Sequence, residues 1–199
     1  EDLGAQLSSD GRAQMQSLQA RVRRAENLID ALREYTRAGR SSAAAQHVES
    51  RALVEKVIHN LTIPPGFTVT AAADMPRIEV VPEVLEQIFT QLINNAIRFH
   101  HRSEGHINIT CVDAGEQWAF AVSDDGPGIA APFHAKVFEI FQTLHAKDTF
   151  ETTGVGLPLV KKIVEEHGGS IWAENLAAGG AGITIRLPAR EEAAVKERA

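Results

Sequence analysis

The chain has 199 residues, 44% of them hydrophobic, enough for one full domain with an appendage and a sizeable core. Its formal net charge is −6, and no Lys/Arg cluster is interleaved with aromatic residues, which argues against a nucleic-acid surface. One cysteine, Cys111, excludes an internal disulfide or a cysteine-rich metal site, and no signal peptide or long apolar span is present, so the chain reads as cytoplasmic, with membrane segments only in other parts of a parent protein.

From Gly11 to about Ala38, the apolar residues Met15, Leu18, Val22, Ala25, Ile29 and Leu32 recur at spacings of three and four, with Leu28 and Tyr35 widening the stripe. This is a heptad seam on a long amphipathic helix, and such a helix expects a partner because isolated helices are marginal in water. Gly39 to Ala45 is a small-residue linker and marks a boundary between a region 1–40 and a domain 46–188. The pattern then predicts a helix over 50–61, a strand over 67–70 and a helix from Pro82 to about His100. The buried face of that last helix is Val84, Leu85, Ile88, Phe89, Leu92, Ile93, Ala96 and Phe99. Strands follow at 106–112, where Cys111 reads as a buried structural thiol, and at 117–123. A helix is expected over 155–167 and a hairpin pairs 170–175 with 182–187. Residues 189–199 form a charged tail.

Two glycine-rich stretches carry the chemistry. Asp124-Asp125-Gly126-Pro127-Gly128 follows a strand, placing a carboxylate where the backbone can approach a ligand closely. Thr153-Gly154-Val155-Gly156-Leu157 leads into a helix, whose first N–H groups and positive dipole end suit phosphate. Neither the P-loop nor the Rossmann spacing is present. On the helix between, Gln91-Leu92-Ile93-Asn94-Asn95-Ala96-Ile97-Arg98-Phe99 sets amides beside an apolar face. Asn95 there is either an amide satisfied by backbone or an oxygen ligand for Mg²⁺, a hard cation that shares its shell with phosphate and water.

Taken in order, the asparagine helix, Asp-x-Gly-x-Gly, Phe-x-x-Phe and Gly-x-Gly-Leu resemble the ATP-binding domain of sensor histidine kinases. That domain belongs to an ATPase group shared with gyrase, MutL-type repair proteins and the ninety-kilodalton heat-shock chaperones. The run Lys161-Lys162-Ile163-Val164-Glu165-Glu166-His167-Gly168-Gly169-Ser170-Ile171-Trp172 is closest to the kinase branch. The resemblance covers residues 46–188, and the heptad helix is similar to the second helix of the kinase dimerisation hairpin. It implies an α+β two-layer sandwich: a mixed, mostly antiparallel sheet covered on one face by the helices 50–61, 82–100 and 155–167.

The resemblance also implies residue roles. Asn95 would hold Mg²⁺ and Asp124 would accept from the adenine amine. Gly126 and Gly128 would shape the adenine side; Gly154, Gly156 and Leu157 would cradle the phosphates. Phe138 and Phe141 match the family's aromatic box, as core packing or as positioners of a lid over Gln142 to Thr153, from which Lys147 could reach phosphate. Three positions depart from the pattern. Gln91 stands where a first asparagine is frequent, Arg98 replaces a frequent lysine as the nearby cation, and Thr152 replaces a glycine at the lid hinge, which bears on turnover.

The family transfers the ATP γ-phosphoryl group to a histidine on the first hairpin helix, for relay to a response regulator receiver domain. No histidine here has that motif. His59-Asn60-Leu61-Thr62-Ile63-Pro64 has the His, Leu and Pro spacing without the acid or the basic residue, and it lies beyond the linker. The expectation is a kinase portion lacking its acceptor helix, with a homodimer formed through the heptad seam. A regulatory nucleotide-binding module without kinase activity and an anti-sigma-type serine kinase are the alternatives.

Overall fold

The computed structural model describes residues 9–39, 43–142 and 153–189. The expectations for Lys147 and Thr152, and for the tail beyond Ala189, lie outside the described residues. The elements in order are α1 (Ser9–Arg37), β1 (Gln46–Glu49), α2 (Ser50–Asn60), β2 (Phe67–Ala71), β3 (Arg77–Val80), α3 (Pro82–Arg98), β4 (Gly105–Asp113), β5 (Gln117–Asp124), α4 (Gly156–Glu166), β6 (Ser170–Asn175) and β7 (Ala181–Pro188). Two single-turn 3-10 segments, Ala131–Phe133 and Lys136–Phe138, lie between β5 and α4.

Five strands form one sheet in the order β2-β4-β5-β7-β6. Only β2 and β4 run parallel, and the other neighbours are antiparallel. The sheet is therefore mixed and mostly antiparallel, as expected. Along β4, Ile107, Ile109 and Cys111 are buried while His106, Asn108 and Val112 are exposed. That alternation is the mark of a sheet with one covered face.

Helices α2, α3 and α4 supply the cover. Pro82 opens α3, where its missing N–H costs no helical hydrogen bond, and seven apolar side chains from Val84 to Ala96 are buried along one stripe. Burying each large one is worth roughly 1.5–3 kcal/mol before conformational entropy is charged. Phe89 of α3 meets Phe120 of β5 edge to face at 5.6 Å, tying helix to sheet. The thiol of Cys111 is pushed up to about 12, first by burial and then by the nearby charges of Asp113 and Asp74, as befits an inert structural cysteine.

The sequence pattern misses β1 and β3, which pair antiparallel as a separate two-stranded sheet with Gln46 opposite Val80. Only β3 carries a period-two signal, with Ile78 and Val80 buried. The end of α1 packs against the domain: Ala38 is buried, Lys162 Nζ donates to the Tyr35 carbonyl at 2.7 Å and lies over its ring. Farther back, Met15, Leu18, Val22, Ile29 and Leu32 remain 45–57% exposed, so the heptad seam is open in the single chain. Among the described residues no helix is long and apolar enough to cross a membrane.

Candidate functional site

A cavity of about 330 Å³ opens between α3, α4 and the adjoining ends of β5 and β7, a size within the range of small-molecule sites. One wall is the polar stripe of α3. Gln91, Asn95 and Arg98 are spaced by four and three residues, so one helical face brings all three to the cavity, with Asn94 alongside. The amide of Asn95 is half-buried there and Arg98 is exposed at the rim. Among the described residues no group of three His, Cys, Asp or Glu side chains could hold a metal ion. The donor set thus fits a hard cation completed by phosphate and water around one amide oxygen, rather than a cage made by protein alone.

Asp124, the last residue of β5, forms the opposite end. Its Oδ1 accepts from the N–H of Gly126 at 2.9 Å and from the N–H of Ala181 at 3.3 Å. Neither bond uses Oδ2, which leaves that oxygen for a ligand donor. Burial raises the Asp124 carboxyl above its usual range, opposed by those two N–H groups and by His100. Asp125 behaves oppositely: its carboxyl is lowered, first by the N–H of His106, then by side-chain hydrogen bonds from His100 and His106 and the charge of Arg102.

The glycines divide by role. Gly128, Gly154 and Gly156 line the cavity, as does the buried Leu157. Gly126 does not; it lies behind Asp124, where its N–H orients the carboxylate. Gly154 has φ +65°, and a Cβ there would lie 2.9 Å from the backbone of Phe141 and Gln142. Only glycine fits that crossing. The loop delivers α4 with no side-chain cap at its N-terminus, so its leading N–H groups stay available to an anion.

The two phenylalanines part company. Phe138 is buried, consistent with core packing, whereas Phe141 is 57% exposed and has φ +67°. That backbone is costly for an aromatic residue and is held by the Phe141 N–H donating to the Gly154 carbonyl at 2.9 Å.

Sequence reading misses Asn175 altogether. From the end of β6 its Oδ1 accepts from the Ile129 N–H and its Nδ2 donates to the Ile129 carbonyl, both at 2.8 Å. This two-point clamp fixes the strand-following loop just past Gly128. No local motif marks such a residue, because its partner is 46 positions away. Gln142, Thr153 and Ala181 also line the cavity.

Residues 80–191, more than half of the chain, match the family described as histidine kinase-, DNA gyrase B-, and HSP90-like ATPase, and the chain belongs to that family. Within it, this is an ATP-binding catalytic domain of the histidine kinase type. Cyanobacterial phytochrome A of Nostoc sp. is 33% identical over 166 residues, covering 82% of this chain and 22% of the relative. Sensor histidine kinase ZraS of Escherichia coli is 37% identical over 119 residues, covering 60% of this chain and 25% of the relative. The chain therefore spans a quarter or less of the length of these curated relatives. Full-length ShkA in complex with AMPPNP shares the fold, with a TM-score of 0.68 at 22% identity over 92% of this chain and 39% of that one.

Proposed function

We propose that this chain binds ATP with Mg²⁺ in the cavity between α3 and α4 and transfers the γ-phosphoryl group to a histidine presented by another segment. The carrying observation is the convergence, on one cavity, of the Asn95 amide, the half-engaged Asp124 carboxylate and the uncapped start of α4. Family membership and kinase relatives support the same reading, as does the AMPPNP bound by ShkA.

In this reading Asp124 accepts from the exocyclic amine of adenine, with Gly126 fixing the carboxylate and Gly128 leaving room for the base. Backbone N–H groups of Gly154, Gly156 and Leu157 hold the phosphates at the positive end of α4. Arg98 adds a cation at the rim, and Lys147 a second from the lid. Asn95 gives its amide oxygen to Mg²⁺, which would supply charge neutralisation between phosphate oxygens. The protein's share is then positioning and electrostatic stabilisation, as phosphoryl transfer generally requires. The domain assigned to this work is 46–188, preceded by the α1 region 1–40.

Isothermal titration tests the site. Wild-type chain should bind ATP more tightly with Mg²⁺ than with chelator, and should prefer ATP over GTP by about tenfold or more, since guanine would set an acceptor against the carboxylate. Asn95→Ala should lose the Mg²⁺-dependent gain while keeping the fold. Because Asp124 titrates above the ordinary carboxylate, its acceptor form disappears early on acidification, so the ATP preference narrows as pH falls through that raised value. Equal Mg²⁺ dependence in wild type and Asn95→Ala would remove the metal assignment.

The relatives are sensor kinases, which supports a response regulator receiver domain as the onward partner; they favour neither the purely regulatory module nor the serine kinase. The open seam on α1 supports a homodimer through that helix. Sedimentation should show self-association of residues 1–199 that is lost in a version starting at Ser42. Two monomers at high concentration would count against the seam.

A further inference from the structure

We propose that His100 is a positioning residue for adenine recognition, acting through Asp125 on the Asp124 carboxylate; this rests on the reading of Asp124 as the adenine acceptor. His100 follows the end of α3, and its side chain has no solvent exposure. Its ring stands edge-on to Phe67 at 5.2 Å and stacks with His101 at 5.1 Å.

The partners of the ring assign its proton. Nε2 lies 3.1 Å from Asp125 Oδ1, and because a carboxylate can only accept, Nε2 carries hydrogen and donates, while Nδ1 lies within reach of both the Arg102 N–H at 3.2 Å and the Arg102 carbonyl at 3.3 Å. The same carboxylate accepts from the His106 N–H at 2.7 Å and from Arg102 Nη2 at 3.1 Å. Asp125 is thus held by side chains and backbone from the end of α3 and from β4.

That position matters because Asp124 is the last residue of β5 paired with β4, in register with Ile107. One residue later the chain leaves the ladder and turns, and the Gly126 N–H comes back to Asp124 Oδ1. The turn that aims the base-reading carboxylate is therefore secured by the groups gripping Asp125. The imidazole also walls it sterically: a Cβ on Gly126 would lie 3.1 Å from His100 Cδ2, and one on Gly105 would lie 2.7 Å from Nε2. Since α3 also carries Asn95, His100 mechanically joins the metal-side helix to the adenine-side loop.

A core histidine with no such task would, when replaced, weaken the fold and every ligand alike. A positioning histidine alters discrimination between bases. The test measures Mg·ATP and Mg·GTP affinities by competition for wild type, His100→Phe, His100→Gln and Asp125→Ala. Phenylalanine keeps a packed ring without the donor, whereas glutamine can return an N–H to Asp125. Wild type should prefer ATP by about tenfold or more. His100→Phe and Asp125→Ala should cut that preference to about threefold or less, mainly by weakening ATP, and His100→Gln should keep it. Unchanged preference in both His100→Phe and Asp125→Ala would overturn the proposal, as would equal weakening of ATP and GTP. If His100→Phe does not fold, Asp125→Ala decides by the same ratio, its carboxylate being 42% exposed. Absence of any preference in the wild type would instead remove the Asp124 reading itself, and the proposal with it.

Discussion

Incubated with γ-labelled ATP and Mg²⁺, residues 1–199 should stay unlabelled alone and should phosphorylate an added helical hairpin that presents an acceptor histidine. None of the described histidines lines the cavity. His59 is exposed near the end of α2, an element that contributes nothing to the cavity wall. His100 is turned into Asp125, and His134 is engaged with the Ile129 carbonyl at 2.8 Å. His167 caps the far end of α4, about 16 Å along the helix from Gly156 at its start. Holding the nucleophile against the phosphate can be worth about 7–11 kcal/mol of barrier, so random collision with these imidazoles is no substitute. Acid-labile label on the chain alone, abolished by His59→Gln, would reverse the rejection of that histidine. Label on the hairpin supports kinase activity, and none in either case favours a regulatory module.

The second large effect concerns two adjacent glycines before β7. Gly179 and Gly180 have φ +96° and +91°, but their surroundings differ completely. A Cβ on Gly179 meets nothing within 4 Å, while one on Gly180 would lie 1.8 Å from the Asp124 carbonyl oxygen and 3.0 Å from Asp125 Cα. Gly179→Ala should therefore cost only the conformational strain of a left-handed alanine, about 1–2 kcal/mol. Gly180→Ala must also push β7 off the end of β5 and should cost about 3 kcal/mol or more. The displaced Ala181 N–H would release Asp124 Oδ1, so ATP affinity should fall with stability. Thermal melts and calorimetry on both variants check this; equal losses at the two positions would show that the close approach has no energetic weight.

Much of this arrangement was legible because long amphipathic elements announce themselves. The α3 stripe and the alternation in β4 and β5 are determined within single elements, and the expected bounds agree with the structure to within two residues. The helix ends at Arg98 rather than near His100, because the backbone leaves the helical region at the C-cap, Phe99, with φ −95° and ψ 6°. What escaped is long-range. A four-residue strand such as Gln46-His47-Val48-Glu49 has one apolar residue and exists through its pairing with β3. Asn175 has meaning only beside Ile129. Phe141 looked equivalent to Phe138 until the left-handed backbone separated them, and the N–H of Gly126 is given to the Asp124 carboxylate, a contact that no motif announces.

The contact between α1 and the rim of the cavity has a thermodynamic corollary. Gln91 lines the cavity, its Oε1 would lie 3.3 Å from a Cβ on Gly156, and its Nε2 donates to Glu34 of α1 at 3.2 Å. Gln87, one turn earlier, reaches the same carboxylate at 3.4 Å. A single amide thus reports to the helix and to the occupant of the cavity. Linkage then sets a reciprocal condition: if withdrawing Glu34 from Gln91 changes the affinity of that occupant, the occupant biases the position of α1 by an equal factor.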